Sequence, residues 1–356
     1  MGKMTKAPVN ERQKNIARAN KSGPLNKKAS MPVYFIVLIL AVAARTLQLF
    51  TNMNFTTGRY IDPSITKNYT LMVLIPGFAL LAFILLAGSA RDKVIGSCIL
   101  INPMRLRYDR LNKKIPSAAG YSSLLMALLV LAEIVFDIID IVRANKLYAA
   151  TLPPAEAEYY NMLTGYTFGQ IFIHVIMFFV ILTFISIAVN VFQGEGLSHA
   201  NCAALSLYSF WKVIELIEML SENTAVGTYS EFVYEMFSYM TAAIFFMNTA
   251  RFFNGMEKKF TRFWMCFLGY VSSILAAVSV IPRYILVLIP DGFDTRVDMN
   301  IPHVSDIGIV FMSITVVAVF WSTYVYRVMP KLNLGNRRWS RAPISKRYQE
   351  MESIDE

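Results

Sequence analysis

The sequence predicts an all-α, polytopic integral membrane protein: a bundle of about eight transmembrane helices with both termini in the cytoplasm. Three observations lead to this fold class. The 356 residues are 55% hydrophobic and only 16% charged, with a mean hydropathy of +0.45, which soluble domains rarely reach. The apolar residues form eight long stretches. The lysines and arginines lie almost wholly on one side of those stretches.

Each stretch has roughly the 20 mostly apolar residues that a helix needs to cross the hydrocarbon core. Helices are favoured because each one satisfies its own backbone polar groups in lipid. A membrane β-barrel would instead show alternating segments of about 10 residues, and no such alternation is present. The predicted spans are, in chain order, Met31–Phe50, Tyr69–Ala90, Tyr121–Ile141, Ile171–Phe192, Asn201–Leu220, Phe232–Ala250, Phe263–Leu288 and Asp306–Val328.

The spans differ in the polar residues that they carry. The first follows about 30 polar residues, so we expect it to be retained rather than cleaved as a signal peptide. The third and fifth carry most of the charges inside spans. The sixth opens with Glu235, the seventh holds Pro282 and Arg283 near its end, and the eighth begins at Asp306.

The basic residues predict the orientation. Segments 1–30, 91–120, 251–262 and 327–347 carry eight, seven, four and seven lysines and arginines, 26 of the 34 in the chain. The alternate segments, 51–68, 142–170, 221–231 and 289–305, carry five between them. Because basic loops stay in the cytoplasm, we expect both termini to be cytoplasmic, in the plasma membrane.

One membrane domain, 31–328, is predicted between two polar cytoplasmic tails, 1–30 and 329–356, of which the first should be disordered. Such basic segments suit either nucleic acid or anionic lipid headgroups. Because they lack interleaved aromatics and a fold of their own, we expect contacts with the lipid bilayer and its anionic headgroups, and no nucleic-acid partner. No phosphate-binding glycine loop or zinc signature occurs, so no cofactor, metal site or catalytic residue is predicted.

Ionisable residues inside spans are the best functional pointer in the sequence. A central charge costs about 2.5–3.5 kcal/mol on insertion scales and usually faces the bundle interior or a wet cavity. The third and fifth spans each carry charges spaced by three or four residues, which places each set on one helical face. The candidate pocket residues are Glu133, Asp137, Asp140, Lys212, Glu215, Glu218, Arg45, His174 and Arg283.

Depth groups these residues. At 1.5 Å per residue, Arg45, Asp137 and Glu215 fall about 20–25 Å from the inner surface. All of the candidates lie between the midplane and the outer surface, and with Glu235 the acids outnumber the bases. We therefore expect one outward-opening acidic pocket, in which Glu133, Asp137 and Glu215 receive a cation, a proton or a positively charged group. Unpaired acids there must be hydrated, protonated or bound to a cation.

A structural interpretation competes with the pocket. Asp140, Glu218 and Glu235 suit solvated helix ends as well. Lys212 should pair with Glu215 or with an acid of the third span, because an isolated ammonium at that depth would lose its proton or draw in water. Such a pair could serve only to fix the packing of the helices.

Three functions fit these observations. The first is a sensing or signal-relay module with an outward-facing acidic pocket, which would need a protein partner because no output domain is attached. The second is a transporter for a cation or a small cationic or zwitterionic solute, favoured by the acid excess but opposed by the scarcity of inner charges. The third is an intramembrane enzyme using paired acids and His174. The third has the least support, since no nucleophile, metal set or cofactor motif accompanies these residues.

Overall fold

The structure is a computed structural model that describes residues 27–54, 59–62, 68–91, 114–151, 168–193, 199–222, 230–253, 261–287 and 304–323. Within these ranges the chain forms helices, apart from one two-residue antiparallel pairing of β1 (Met53–Asn54) with β2 (Arg59–Tyr60). The described helices are α1 (Lys27–Asn52), α2 (Tyr69–Arg91), α3 (Lys114–Thr151), α4 (Phe168–Gln193), α5 (His199–Glu222), α6 (Ser230–Phe253), α7 (Thr261–Val287) and α8 (Ser305–Thr323).

The all-helical prediction is confirmed for the described residues, and every predicted span falls largely within one helix. Within the described ranges, four helical segments are long and apolar enough to cross a membrane, namely Ala29–Asn52, Tyr69–Ala87, Gly169–Gln193 and Phe263–Leu286. By length and composition the chain is therefore a helical membrane protein.

The largest boundary differences lie in α3, which begins at Lys114, seven residues before the predicted start of its span at Tyr121. Helix α3 continues to Thr151, ten residues beyond the predicted end of its span at Ile141. The continuation contains three alanines together with Arg143, Lys146 and Leu147, residue types that favour a helix even where apolar residues become sparse. Helix α1 begins at Lys27, before the predicted tail boundary at residue 30. The rest of that tail, and all of the tail 329–356, lie outside the described residues.

Six helices form a closed ring in chain order. Helices α3 to α8 each pack on the next, and α8 returns to pack on α3. Helices α1 and α2 pack on each other and lie against α7. Where α4, α5 and α6 meet, the aromatic side chains of Phe184, Tyr208 and Phe246 pack edge to face, with centroids 4.4–6.2 Å apart.

Helix α7 is the central element of the bundle. It packs on α1, α2, α6 and α8, and 83% of its apolar span is buried, against 28% for α2. Small residues permit this close approach: a Cβ on Gly269 would lie 2.6 Å from Val317 on α8 and 2.8 Å from Phe245 on α6. Small residues at such interfaces are typical of helix packing in lipid.

Helices that are consecutive in the chain run in opposite directions. Thr70, at the start of α2, donates to Gln48 near the end of α1 (2.6 Å), and Ser186 near the end of α4 contacts Asn201 near the start of α5 (3.0 Å). One end of the bundle therefore contains the ends of α1, α3, α5 and α7 and the beginnings of α2, α4, α6 and α8. The ionisable residues described below gather towards this end, which we call the acidic end.

Candidate functional site

A buried ionic network occupies the acidic end where five helices meet. It draws residues from α3, α5, α6, α7 and α8. We use the name ionic network for Glu133, Lys212, Glu215, Glu235, Tyr239, Arg283, Ser305 and Asp306.

Lys212 lies at the centre of the ionic network and is completely buried. Its Nζ lies 2.7 Å from Oε2 of Glu215 on the same helix, and 3.3 Å from both Oγ of Ser305 and Oδ1 of Asp306 on α8. These three contacts match the three protons of an ammonium group. The expected pairing of Lys212 with Glu215 is present.

Aromatic rings complete the surroundings of Lys212. Its Nζ lies 4.3 Å from the ring centroid of Trp211 and 4.5 Å from that of Tyr239. A ring face attracts a cation most strongly where water is excluded. The arrangement favours a charged lysine held in one position.

The beginning of α8 is tied to this centre from two sides. The backbone N–H of Ser305 donates to Oε2 of Glu133 on α3 (3.0 Å), and Lys212 donates to the Ser305 hydroxyl. The first N–H groups of a helix have no partner within it and carry a partial positive charge, so a carboxylate is a favourable acceptor. Glu133 is 3% exposed.

A second ion pair connects α6 and α7. Arg283 donates from Nη1 to Oε2 of Glu235 (3.2 Å), and both side chains are buried. The Tyr239 hydroxyl lies 3.1 Å from Oε1 of Glu235 and 3.2 Å from Oδ2 of Asp306. Tyr239 therefore joins the Arg283–Glu235 pair to the Lys212–Asp306 pair.

Four of the nine candidate pocket residues lie in the ionic network: Glu133, Lys212, Glu215 and Arg283. Arg45 contacts α1 and α6: it donates to Gln48 (3.3 Å), which also accepts from Thr70 on α2, and it lies 4.7 Å from the ring centroid of Tyr234.

The other candidate acids of α3 lie farther along that helix. Asp137 lies 3.5 Å from Nε2 of His174 on α4 and is partly exposed. Asp140 lies 3.7 Å from Arg143, with 71% and 72% of these side chains exposed. The side chain of Glu218 lies outside the described residues, although its backbone belongs to α5.

Sequence reasoning missed three members of the ionic network, namely Ser305, Asp306 and Tyr239. Asp306 opens the predicted eighth span and was counted only as its boundary, although that boundary lies at the same depth as the other acids. Tyr239 is one of 18 tyrosines. The only signal for Tyr239 is its spacing of four residues from Glu235, which places the two on one face of α6.

Polar contacts continue along α7 away from the acidic end. Ser272 donates to Ser313 on α8 (3.0 Å), and Ser273 contacts Tyr34 on α1 (2.7 Å). Near the opposite end Tyr270 contacts Ser30 on α1 (3.3 Å). The half of the bundle that the sequence left almost without charges therefore still contains buried hydroxyl pairs.

The chain was compared with known protein families, curated proteins and solved structures. No family matches it, and no curated protein or solved structure matches it significantly. Among the described residues, no group of three or more His, Cys, Asp or Glu side chains is arranged to hold a metal ion.

Proposed function

We propose that this chain is an eight-span plasma-membrane protein, with both termini in the cytoplasm, that senses a cation or a proton at its outer side and relays the signal inwards. The eight described helices, their alternating directions and the distribution of 26 basic residues support this topology. In this orientation the acidic end faces outwards, and the termini lie beside anionic headgroups.

The observation that carries the proposal is the attachment of α8 to the ionic network. Glu133, Lys212 and Tyr239 each contact one of the first two residues of α8. A change of charge in the network alters the interaction of α8 with three other helices at once. Helix α8 leads directly to the C-terminal segment, so its movement offers a route by which an outer signal reaches the cytoplasm and a protein partner there.

The topology is tested by labelling single cysteines placed at Met1, Ala155, Gly255 and Glu356 in intact cells. We expect a membrane-impermeant reagent to reach only position 155. Labelling of either terminus from outside would reverse the orientation and remove the basis for an outer sensor.

The relay is tested with the full chain in nanodiscs, by a spin-label distance between the inner ends of α8 and α4. We expect the distance distribution to change with pH or with added cations in the wild type. Changing Glu133, Asp137 and Glu215 to their amides should abolish the change. Asp140→Asn is the matched control, because that acid lies on the same helix but is exposed. A distribution that is insensitive to pH and cations would contradict the proposal.

Transport is the second candidate, and the hydroxyl contacts along α7 favour it. Ser272–Ser313, Ser273–Tyr34 and Tyr270–Ser30 extend polar contacts towards the inner end. In proteoliposomes a transporter would move cations or protons down an imposed gradient, whereas a sensor would not. Flux that is lost in Glu133→Gln and kept in Asp140→Asn would favour transport over sensing.

A further inference from the structure

We infer that the ligand of the ionic network is a proton, shared by the two carboxyl groups that flank the Tyr239 hydroxyl. This inference rests on the proposed function and names what the outer site receives. It concerns Glu235 on α6 and Asp306 on α8, which Tyr239 bridges at 3.1 and 3.2 Å.

The proton count of this bridge carries the inference. A tyrosine hydroxyl has one proton, so it can donate to only one carboxylate at a time. The second oxygen-to-oxygen contact is a hydrogen bond only if its carboxyl group carries a proton and donates it to the tyrosine oxygen. Two ionised carboxylates and a neutral tyrosine hold one proton between them, whereas two hydrogen bonds need two. One additional proton therefore completes the bridge.

The bases near the bridge favour ionised carboxylates, whereas the acids near it favour a bound proton. Lys212 on α5 contacts both Asp306 and Glu215 and interacts electrostatically with Glu133 on α3, and Glu235 contacts Arg283 on α7. Tyr208 on α5 and Tyr284 on α7 also interact electrostatically with Asp306 and Glu133. Among these described residues four acids accompany two bases, and a bound proton reduces the excess negative charge in a site from which water is largely excluded.

Buried hydroxyl groups without partners provide an independent observation beside the bridge. In the described part of the chain, the hydroxyls of Tyr208, Ser238 and Ser279 are buried and have no hydrogen-bond partner. Other span residues, such as Thr183 and Thr249, instead donate to the carbonyl four residues earlier. Buried polar atoms are normally satisfied by the protein or by ordered water.

Helical spacing and electrostatic interactions relate these three hydroxyls to the ionic network. Ser238 is three residues from Glu235 on α6, and Ser279 is four residues from Arg283 on α7, so both lie one turn from the Glu235–Arg283 pair on the facing helices. The Tyr208 hydroxyl lies in the electrostatic field of Lys212 and Asp306. A water molecule bound there would be placed to exchange the shared proton.

Gain and loss of the proton have a structural consequence. Helix α8 packs mainly on α3 and α7, and the Tyr239 bridge is its described polar tie to α6. When the proton leaves, the Tyr239 hydroxyl keeps one carboxylate and loses the other. The site gains one negative charge, and the tie between α6 and α8 weakens.

Infrared difference spectroscopy of the full chain in nanodiscs tests the inference. A protonated carboxyl group gives a carbonyl band above the amide bands, and exposed acids, with pKa values of about 4, give none near neutral pH. We expect such a band near neutral pH. Glu235→Gln or Asp306→Asn should remove it. Because these variants could fail to fold, Tyr239→Phe is the second variant.

Tyr239→Phe should keep the fold and shift the midpoint of the band's pH titration by about one unit, which corresponds to one lost hydrogen bond. Tyr34→Phe is the matched control, because that tyrosine is equally buried and hydrogen-bonded but lies near the opposite end of the bundle. It should leave the midpoint unchanged.

The inference is overturned if the wild type shows no such band near neutral pH, or if Tyr239→Phe leaves the titration as it is in the wild type. These outcomes are separable from failure of the proposed function. If α8 moves when cations are added but the carbonyl band is missing, the shared-proton inference fails and the sensing function stands. If the band is present but α8 does not move, the shared-proton inference stands and the sensing function fails.

Discussion

Glu133 and Asp140 lie seven residues apart on one face of α3, yet their surroundings are opposite. Glu133 is 3% exposed and accepts a hydrogen bond from the first residue of α8. Asp140 is 71% exposed and lies 3.7 Å from Arg143 on its own helix. Helix α8 begins level with Glu133, so it covers α3 up to that point and does not extend alongside Asp140. The spacing of residues in the sequence determines which face of a helix they share, but the length of the neighbouring helix determines which residues of that face are buried.

The largest effect should come from Lys212→Met. This change leaves Glu215 and Asp306 buried without the ammonium that both contact, and breaking a buried ion pair on one side costs about 3–5 kcal/mol. Denaturant unfolding in a membrane-mimetic environment measures the loss. If Lys212→Met lowers the free energy of unfolding as little as Asp140→Asn does, the ionic network is hydrated, and the buried and exposed parts of α3 do not differ as described.

The double variant, Lys212→Met with Glu215→Gln, tests whether these two residues stabilise the protein as a pair. Removing the carboxylate 2.7 Å from the ammonium should recover part of the stability lost in the single variant, because one stranded charge disappears. The two variants are compared in one unfolding assay. Equal stability of the single and double variants would show that the two residues do not act as a pair.

Arg283→Met should cost about 2–3 kcal/mol, less than Lys212→Met. Glu235 loses the guanidinium at 3.2 Å but keeps its contact with the Tyr239 hydroxyl. Arg283→Lys, which keeps the positive charge, is the control and should retain part of the stability. If Arg283→Lys and Arg283→Met unfold alike, geometry rather than charge holds this pair.

Glu133→Gln should cost about 1–2 kcal/mol. The amide oxygen can still accept from the backbone of Ser305, but the negative charge at the beginning of α8 is lost. Hydrogen exchange of the first amides of α8 should increase while those of α4 stay unchanged. Equal exchange in the variant and the wild type would mean that Glu133 does not hold the end of α8.

Asp140→Asn should change the free energy of unfolding by less than about 0.5 kcal/mol, since exposed pairs of this kind contribute little. The same unfolding assay serves. A loss above about 2 kcal/mol would show that Asp140 is covered in the folded protein, and the comparison along α3 would have to be abandoned.

The helices were predictable because they depend on local composition. Long apolar stretches predict the eight described helices without knowledge of their partners, and the largest boundary errors lie in α3, which extends beyond its apolar stretch at both ends. The pairing of Lys212 with Glu215 was also predictable, because three residues of spacing on one helix fix the distance between their side chains.

The membership of the site was less predictable, because it depends on helices far apart in the sequence. The sequence marks Asp306 only as the boundary of a span, yet Asp306 contacts Lys212 across 94 positions of the chain. Arg45 and Glu133 were placed together by depth alone. Depth gives the level of a residue in the bundle and not the direction in which its side chain points, and Arg45 contacts Gln48 on α1 and Tyr234 on α6.

The sequence by itself determined the class of protein, the helices and the level at which the charges lie, because hydrophobicity and helical spacing act within a few turns of one chain segment. The tertiary structure alone decided which charges of different helices meet. Closing α3 to α8 into a ring brings Glu133, Lys212 and Asp306 around the beginning of α8, while α3 beyond that level remains without cover from α8. The physical reason is that burial of a charge depends on the neighbouring helices that exclude water from it, and no local pattern in the chain specifies those neighbours.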